Sequence, residues 1–266
     1  MKSSILSHLS SRHPWAGRIH HFPTIDSTNN EAKRMALDGA PQGTVLIADH
    51  QTGGRGRMCR SFHSPIGKGL YLSVILRPEC HINQLMHLTC AAGVATCDAV
   101  CRASRVAPQI KWINDLVFDQ KKLGGILAEP FIQGNGQVSF VVIGIGINCG
   151  HEIWDFPPEL QDMATSLSMI TGQPADRSLL AAELIRSLEE MSRVLLTEKG
   201  PIMDRYRRLC ITLGKEVSVH RFEEVRHGTA MDLDDDGGLV VRFPDGHTET
   251  ISSGEASVRG MYGYIP

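Results

Sequence analysis

Residues 138–147, V-S-F-V-V-I-G-I-G-I, constrain the fold of this chain more than any other stretch. A short run of β-branched and aromatic residues with almost no polar interruption is the pattern of a strand covered on both faces. It continues as Gly144-Ile145-Gly146-Ile147-Asn148-Cys149-Gly150. A dinucleotide-binding turn of the form G-x-G-x-x-G needs glycine where Cys149 stands, and no helix pattern opens there, which argues against a Rossmann domain. Alternating glycines inside a strand instead mark the close approach of a ligand or of another backbone.

Residues 51–68, Q-T-G-G-R-G-R-M-C-R-S-F-H-S-P-I-G-K, interleave Gly53, Gly54 and Gly56 with Arg55, Arg57 and Arg60. Glycine permits left-handed backbone angles and close approach to a ligand. Arginine presents a planar, permanently charged fork suited to carboxylate and phosphate oxygens. The stretch predicts a mobile basic lid that orders over an anion, because an open loop with three glycines needs an attractive partner to offset its entropy. A solvated surface loop is the alternative. Strand patterns at 44–49 and 70–77 place it between two strands.

An anion site of this kind has to be local, since 27 Lys+Arg stand against 29 Asp+Glu and the whole chain carries no basic footprint. With 266 residues, 42% hydrophobic and 21% charged, the chain suits a large domain plus a smaller one. Seven cysteines with no C-x-x-C pair disfavour a disulfide framework and structural zinc. No signal-peptide core or membrane-length apolar run occurs, so a cytoplasmic location is expected, with no membrane partner.

The remaining segments alternate in type. Residues 1–14 read as a lead-in, and 18–22 as a first strand. Asp26-Ser27-Thr28-Asn29-Asn30-Glu31 starts a helix, with Thr28 and Glu31 at capping-box spacing and Gly39 placed to end it. Ser27, Thr28 and Asn29 either receive a polar ligand or only cap that helix. A long helix follows at 83–103, then a hairpin in which Asn114, Asp115 and Lys122 share one end of a sheet. Residues 151–176 are a crossing segment, and helices follow at 177–197 and 202–210. From 213 the pattern becomes short strands at 216–220, 225–233, 239–243 and 247–251. Asp232–Gly237 lacks the terminal glutamate of a calcium loop and reads as a turn. The expected domains are therefore 15–212 and 213–266.

Taken together, G-R-G-R-M-C-R-S-F-H-S-P with G-K-G-L-Y-L-S, K-W-I-N-D with L-G-G-I-L-A-E, G-I-G-I-N, and S-G-E-A-S-V-R at 253–259 resemble the motifs of the biotin protein ligases. The resemblance runs through nearly the whole chain. It implies an α+β fold, a mixed β-sheet flanked by helices as in class II tRNA synthetases, followed by an SH3-like β-barrel. It also implies activation of biotin by ATP and transfer to a lysine of a biotin carboxyl carrier protein. By the same resemblance Ser27, Thr28, Asn29 and Gln51 meet biotin, Arg55, Gly56 and Arg57 fold over biotin and the adenylate, and Lys122 faces the reacting oxygens. Arg60, Asn114 and Asn148 fall to the nucleotide, and Asp115 is the candidate acceptor of the incoming lysine's proton, with turn capping as its alternative. Ile113, Cys59 and Phe62 stand where the family usually has proline, glycine and tryptophan.

Joining a carboxylate to ATP brings like charges together, so Mg²⁺ and mobile cations are expected. A lipoate or octanoate ligase of the same fold and a non-catalytic, DNA-binding biotin sensor are the alternatives. Residues 1–14 are too few for a helix-turn-helix, so no DNA partner is expected, whereas a homodimer is compatible with the resemblance.

Overall fold

The computed structural model describes residues 1–221, 224–252 and 257–260, with Cys59 and 257–260 described by their backbone alone. Of the S-G-E-A-S-V-R motif, residues 253–256 therefore lie outside the described residues.

The larger sheet contains β1 (Ile19–Phe22), β2 (Thr44–Ala48), β3 (Gly69–Leu76), β4 (Gln109–Lys111), β5 (Asp115–Phe118), β6 (Lys121–Ile132) and β7 (Val138–Asn148). Their order is β1-β2-β3-β7-β6-β5-β4, parallel between β1 and β2 and antiparallel elsewhere. β7 is paired with β6 from Val138 and with β3 from Val141, and buried clusters cover both its faces, which accounts for the unbroken apolar run that marked it.

Side chains alternate across a strand, and here the alternation separates a packing face from a site face. On one face Leu70, Leu72, Val74, Val141, Ile143 and Ile145 join the main core. That core is built with α1 (Lys2–His8), α3 (Leu88–Ser104), α5 (Arg177–Val194) and α6 (Lys199–Leu209). On the other face Leu46, Ile75, Phe140 and Val142 pack on Ala32 and Ala36 of α2 (Thr28–Leu37). Beyond that small cluster the same face carries Tyr71 and Ser73 opposite Gly146 and Gly144.

Several boundaries differ from the sequence expectation. The lead-in is part of the core, because α1 buries Ile5, and Leu9 follows it inside. The long helix begins at Leu88, after a separate 3-10 turn at Ile82–Leu85, and α5 stops at Val194. α6 starts at Lys199, so Gly200 and Pro201 lie in its first turn, where a missing amide hydrogen costs no helical bond. In the crossing segment, α4 (Leu167–Thr171) is capped by the Ser166 hydroxyl. α2 starts where expected, but its N-cap is Ser27 and no side-chain cap forms. The Thr28 backbone N–H donates instead to Gln51 Oε1 at 2.8 Å, which leaves the Thr28 hydroxyl to the site.

The C-terminal unit holds β8 (Glu216–Arg221), β9 (Glu224–Leu233), β10 (Leu239–Arg242), β11 (Thr248–Ile251) and β12 (Ser257–Gly260) in one antiparallel sheet, ordered β11-β10-β9-β8-β12. This sheet is consistent with the small barrel expected. Its β9–β10 turn docks on the larger domain through Trp112 Nε1, which donates to Gly237 O at 2.9 Å.

Candidate active site

A cavity of about 350 Å³ opens on the site face of the large sheet. Its floor is a set of cross-strand rows. Ser73, Gly144 and Leu127 form one, and Tyr71, Gly146 and Gly125 the next. The glycines make room for particular side chains. A Cβ on Gly144 would lie 1.9 Å from Asn29 Oδ1, and one on Gly146 would lie 2.5 Å from the Phe62 ring. The close approach signalled by the alternating glycines is thus to Asn29 and Phe62, with Gly124 admitting the Gly146 backbone beside it.

At one end the lining is neutral and polar. Ser27, Thr28 and Asn29 are almost fully buried. Thr28 Oγ1 donates to Gln51 Oε1 at 3.0 Å, and Gln51 Nε2 donates to Ser64 Oγ at 3.1 Å. Ser73 Oγ lies 2.8 Å from Thr28 Oγ1 and 2.6 Å from Asn29 Oδ1. Asn29 Nδ2 donates to Glu129 Oε2 at 2.8 Å.

At the other end the lining is charged. Lys122 Nζ is 2.7 Å from Asp115 Oδ1, and Arg57 Nη1 donates to Asn114 Oδ1 at 3.0 Å. Burial pushes the Arg57 pKa down, with the Asp115 charge acting the other way. A desolvated guanidinium of this kind gains more from an anion than one in water does. Asn148 Nδ2 donates to Thr165 O at 3.0 Å, which fixes its amide in the wall. The crossing segment closes that wall, since Lys122 N–H donates to Met163 O at 2.7 Å and Thr165 N–H to Lys122 O at 2.9 Å.

The basic stretch covers the cavity as a short hairpin. Phe62 N–H donates to Gly54 O at 2.9 Å and Gly56 N–H to Arg60 O at 2.7 Å, with a 3-10 turn at Arg57–Cys59 between them. At the tip of the hairpin the left-handed residue is Met58, at φ 54°, whereas Gly56 is extended at φ −118°. Gly54 serves close packing, because a Cβ there would fall 2.4 Å from Phe62 O. Arg55 does find an acidic partner, one distant in sequence: its Nη1 lies 3.2 Å from Glu129 Oε1.

Residues 21–148 match the Biotin/lipoate A/B protein ligase family, and residues 212–259 match the Biotin protein ligase C terminal domain. The biotin--[acetyl-CoA-carboxylase] ligase of Mycobacterium tuberculosis is 34% identical over 236 residues, which cover 86% of this chain and 84% of that protein. The chain belongs to the biotin protein ligase family. Another relative, the bifunctional ligase/repressor BirA of Bacillus spizizenii, is 36% identical over 223 residues, covering 84% of this chain and 68% of that protein. The biotin protein ligase from Aquifex aeolicus, solved in complex with biotin and ATP, superposes with a TM-score of 0.77 at 29% identity, covering 91% of this chain and 99% of that one.

Every residue to which the family resemblance gives a ligand or a step of the chemistry lines this one cavity. Ser27, Thr28, Asn29 and Gln51 gather at the polar end, Asn114, Asp115, Lys122 and Asn148 at the charged end, and Arg55, Gly56, Arg57 and Arg60 come from above. Sequence reasoning missed Ser73 and Glu129. Ser73 is the one hydroxyl-bearing aliphatic position in L-Y-L-S-V-I-L, and Glu129 is the one charge in L-G-G-I-L-A-E, so each carried a signal. Leu160, Met163 and Ala164 of the crossing segment gave none, because their place in the wall depends on the bridge to Lys122.

Beside the cavity, His151 is fully buried and stacks on Phe156 with ring centroids 4.8 Å apart. Burial, followed by the charge of His63, holds the His151 pKa down to about 4. A histidine lowered from about 6.5 in the unfolded chain binds its proton less readily when folded. Its neutral form therefore contributes stability above pH 6.5, and that contribution is lost as pH falls towards 4, on the order of 3 kcal/mol in all. Denaturant melts across pH 4–7 should show this slope, and His151→Phe should flatten it. Equal slopes for the two proteins would remove His151 as the cause.

Proposed function

We propose that the chain condenses biotin with ATP to biotinyl-5'-adenylate, releasing pyrophosphate. It then transfers the biotinyl group to the ε-amine of a lysine on a biotin carboxyl carrier protein, releasing AMP. The observation that carries this reading is the polarity of the cavity, neutral and hydrogen-bonding at one end and charged at the other, where Lys122 and Arg57 supply the cations.

A ureido ring, neutral and bearing both donors and an acceptor, suits the Ser27, Thr28, Asn29 and Gln51 end. A lipoyl dithiolane has no hydrogen-bonding group for them, and buried polar groups left unmatched cost about 1–3 kcal/mol each. This favours biotin over lipoate or octanoate. In the adenylation step the biotin carboxylate attacks the α-phosphorus of ATP. Lys122 and Arg57 then face oxygens on which negative charge builds, and cations held in place before the reaction lower that barrier most effectively. Arg60, Asn114 and Asn148 line the space left for the nucleotide. Mg²⁺ enters as the ion carried by the ATP phosphates, in keeping with its preference for phosphate and water oxygens. The hairpin bearing Arg55 and Gly56 keeps water from the mixed anhydride until the carrier amine arrives.

Asp115 holds Lys122 in the first step. Serving as proton acceptor for the incoming amine requires that pair to open. Cytoplasmic location belongs to the same proposal, since ATP is the co-substrate, and no helix among the described residues is long and apolar enough to cross a membrane.

The test is ATP–pyrophosphate exchange with the purified chain, Mg²⁺ and either biotin or lipoate. Exchange dependent on biotin is expected. Exchange driven by lipoate alone would reassign the substrate, and tight biotin binding without exchange would make the chain a sensor.

A further inference from the structure

Glu129 projects from β6 to a point where three donors from two other elements converge. Its Oε2 accepts from Asn29 Nδ2 at 2.8 Å, and its Oε1 is 2.5 Å from Lys33 Nζ and 3.2 Å from Arg55 Nη1. Asn29 and Lys33 lie one turn apart on α2, so they share a face, and Arg55 comes from the lid. Arg55 also donates to Asn30 Oδ1 at 3.0 Å. The carboxylate is mostly shielded from solvent. Burial opposes its charge, yet the hydrogen bonds from Lys33 and Asn29 and the charges of Lys33 and Arg55 keep its pKa below the usual carboxylate range.

We propose that Glu129 is a positioning residue for the biotin end of the cavity, one oxygen fixing the amide of Asn29 and the other holding Lys33 and the lid's Arg55. This rests on the functional reading above and adds to it a device that orders the site. An asparagine amide has two faces of opposite polarity, and its orientation follows from its partners. With Nδ2 committed to Glu129, Asn29 Oδ1 must face Ser73 and accept its hydrogen. The carboxylate, with the Leu127 carbonyl that Asn29 Nδ2 also reaches at 3.3 Å, thus sets the direction of the Asn29–Ser73 hydrogen bond. The same group divides the lid arginines, holding Arg55 over the biotin end while Arg57 stays beside Asn114 and Asp115.

A neutral amide cannot do both tasks. In Glu129→Gln, either the new NH2 group faces Lys33 and Arg55, releasing the lid, or it faces Asn29 and forces that amide to flip away from Ser73. Calorimetry should give a biotin Kd raised by about tenfold, the effect of one mismatched buried hydrogen bond. Trypsin should cut after Arg55 faster in the ligand-free variant than in the wild type. Adenylation at saturating biotin and the KM for ATP should stay within about threefold, a split that general loss of folding would not produce.

A folded variant with an unchanged biotin Kd and unchanged cleavage after Arg55 would overturn the inference. Should Glu129→Gln fail to fold, Glu129→Asp carries the test. A carboxylate one methylene shorter cannot reach Asn29 and the cations together, so an unchanged Kd there overturns it equally. If the wild type itself does not bind biotin, the functional reading fails instead, and the two failures are told apart by that control.

Discussion

Lys122→Ala should slow formation of biotinyl-adenylate by about 10²–10³-fold while changing biotin affinity little, the loss seen when one preorganised donor to a developing negative charge is removed. The ammonium lies at the charged end, away from the residues that would recognise the ureido ring, so its contribution grows as the carboxylate and phosphate oxygens close on each other. Single-turnover adenylation and biotin calorimetry on the same protein separate the two effects. Equal losses in both would make Lys122 a ground-state contact. Its 2.7 Å pair with Asp115 adds a second arm. Asp115→Asn leaves Lys122 without its anchor, so adenylation should fall by about tenfold, one factor of ten for each 1.36 kcal/mol of barrier. If Asp115→Asn instead slows only transfer to the carrier, Asp115 acts as the proton acceptor.

The strands and helices were legible because their patterns are local. β7 was recognisable from its apolar run, α5 from the spacing of Leu180, Leu184 and Leu188, and the C-terminal unit from its turns. What local pattern could not give was the use to which each glycine is put. Gly53, Gly54 and Gly56 promised left-handed backbone, yet the left-handed residue is Met58, because closing the hairpin across Gly54 and Phe62 puts the sharp turn at its tip. In the same way Thr28 and Glu31 had capping spacing, and Gln51, far along the chain, supplies the acceptor instead.

The site was legible as a set of residues and much less so as a network. Twelve positions named from the family resemblance line one cavity. The supporting partners were missed wherever they lie across the sheet or the chain from the motif they serve. Ser73 is on β3 and reaches α2, Glu129 joins α2 to the lid, and Met163 reaches Lys122 by a backbone bond. Arg55 likewise finds its acidic partner far along the chain, in Glu129.

Gly144→Ala should raise the biotin Kd by about 100-fold, equivalent to about 2.7 kcal/mol. The added methyl would fall 1.9 Å from Asn29 Oδ1, 2.7 Å from its Cγ and 2.9 Å from its Nδ2, so no rotation of the amide clears it. Either Asn29 leaves its place between Ser73 and Glu129 or β7 shifts, and β7 is held on both sides by β3 and β6. The side chain is therefore the part that moves. Alanine also narrows the unfolded ensemble, which favours folding by about 0.4–1 kcal/mol, whereas overpacking a filled site costs about 1–3 kcal/mol. The two offset in part, so net destabilisation should stay below the roughly 2.7 kcal/mol loss of binding, and a denaturant melt checks that the variant is folded. Two companion variants locate the effect. Gly146→Ala meets the Phe62 ring at 2.5 Å, so it should disturb the hairpin and adenylation more than biotin binding. Gly150→Ala finds no atom nearer than Lys68 O at 3.9 Å and should leave both unchanged. Biotin calorimetry on the three proteins decides the matter. Wild-type affinity in a folded Gly144→Ala protein would show that Asn29 does not hold biotin, and with it the assignment of the polar end would fall.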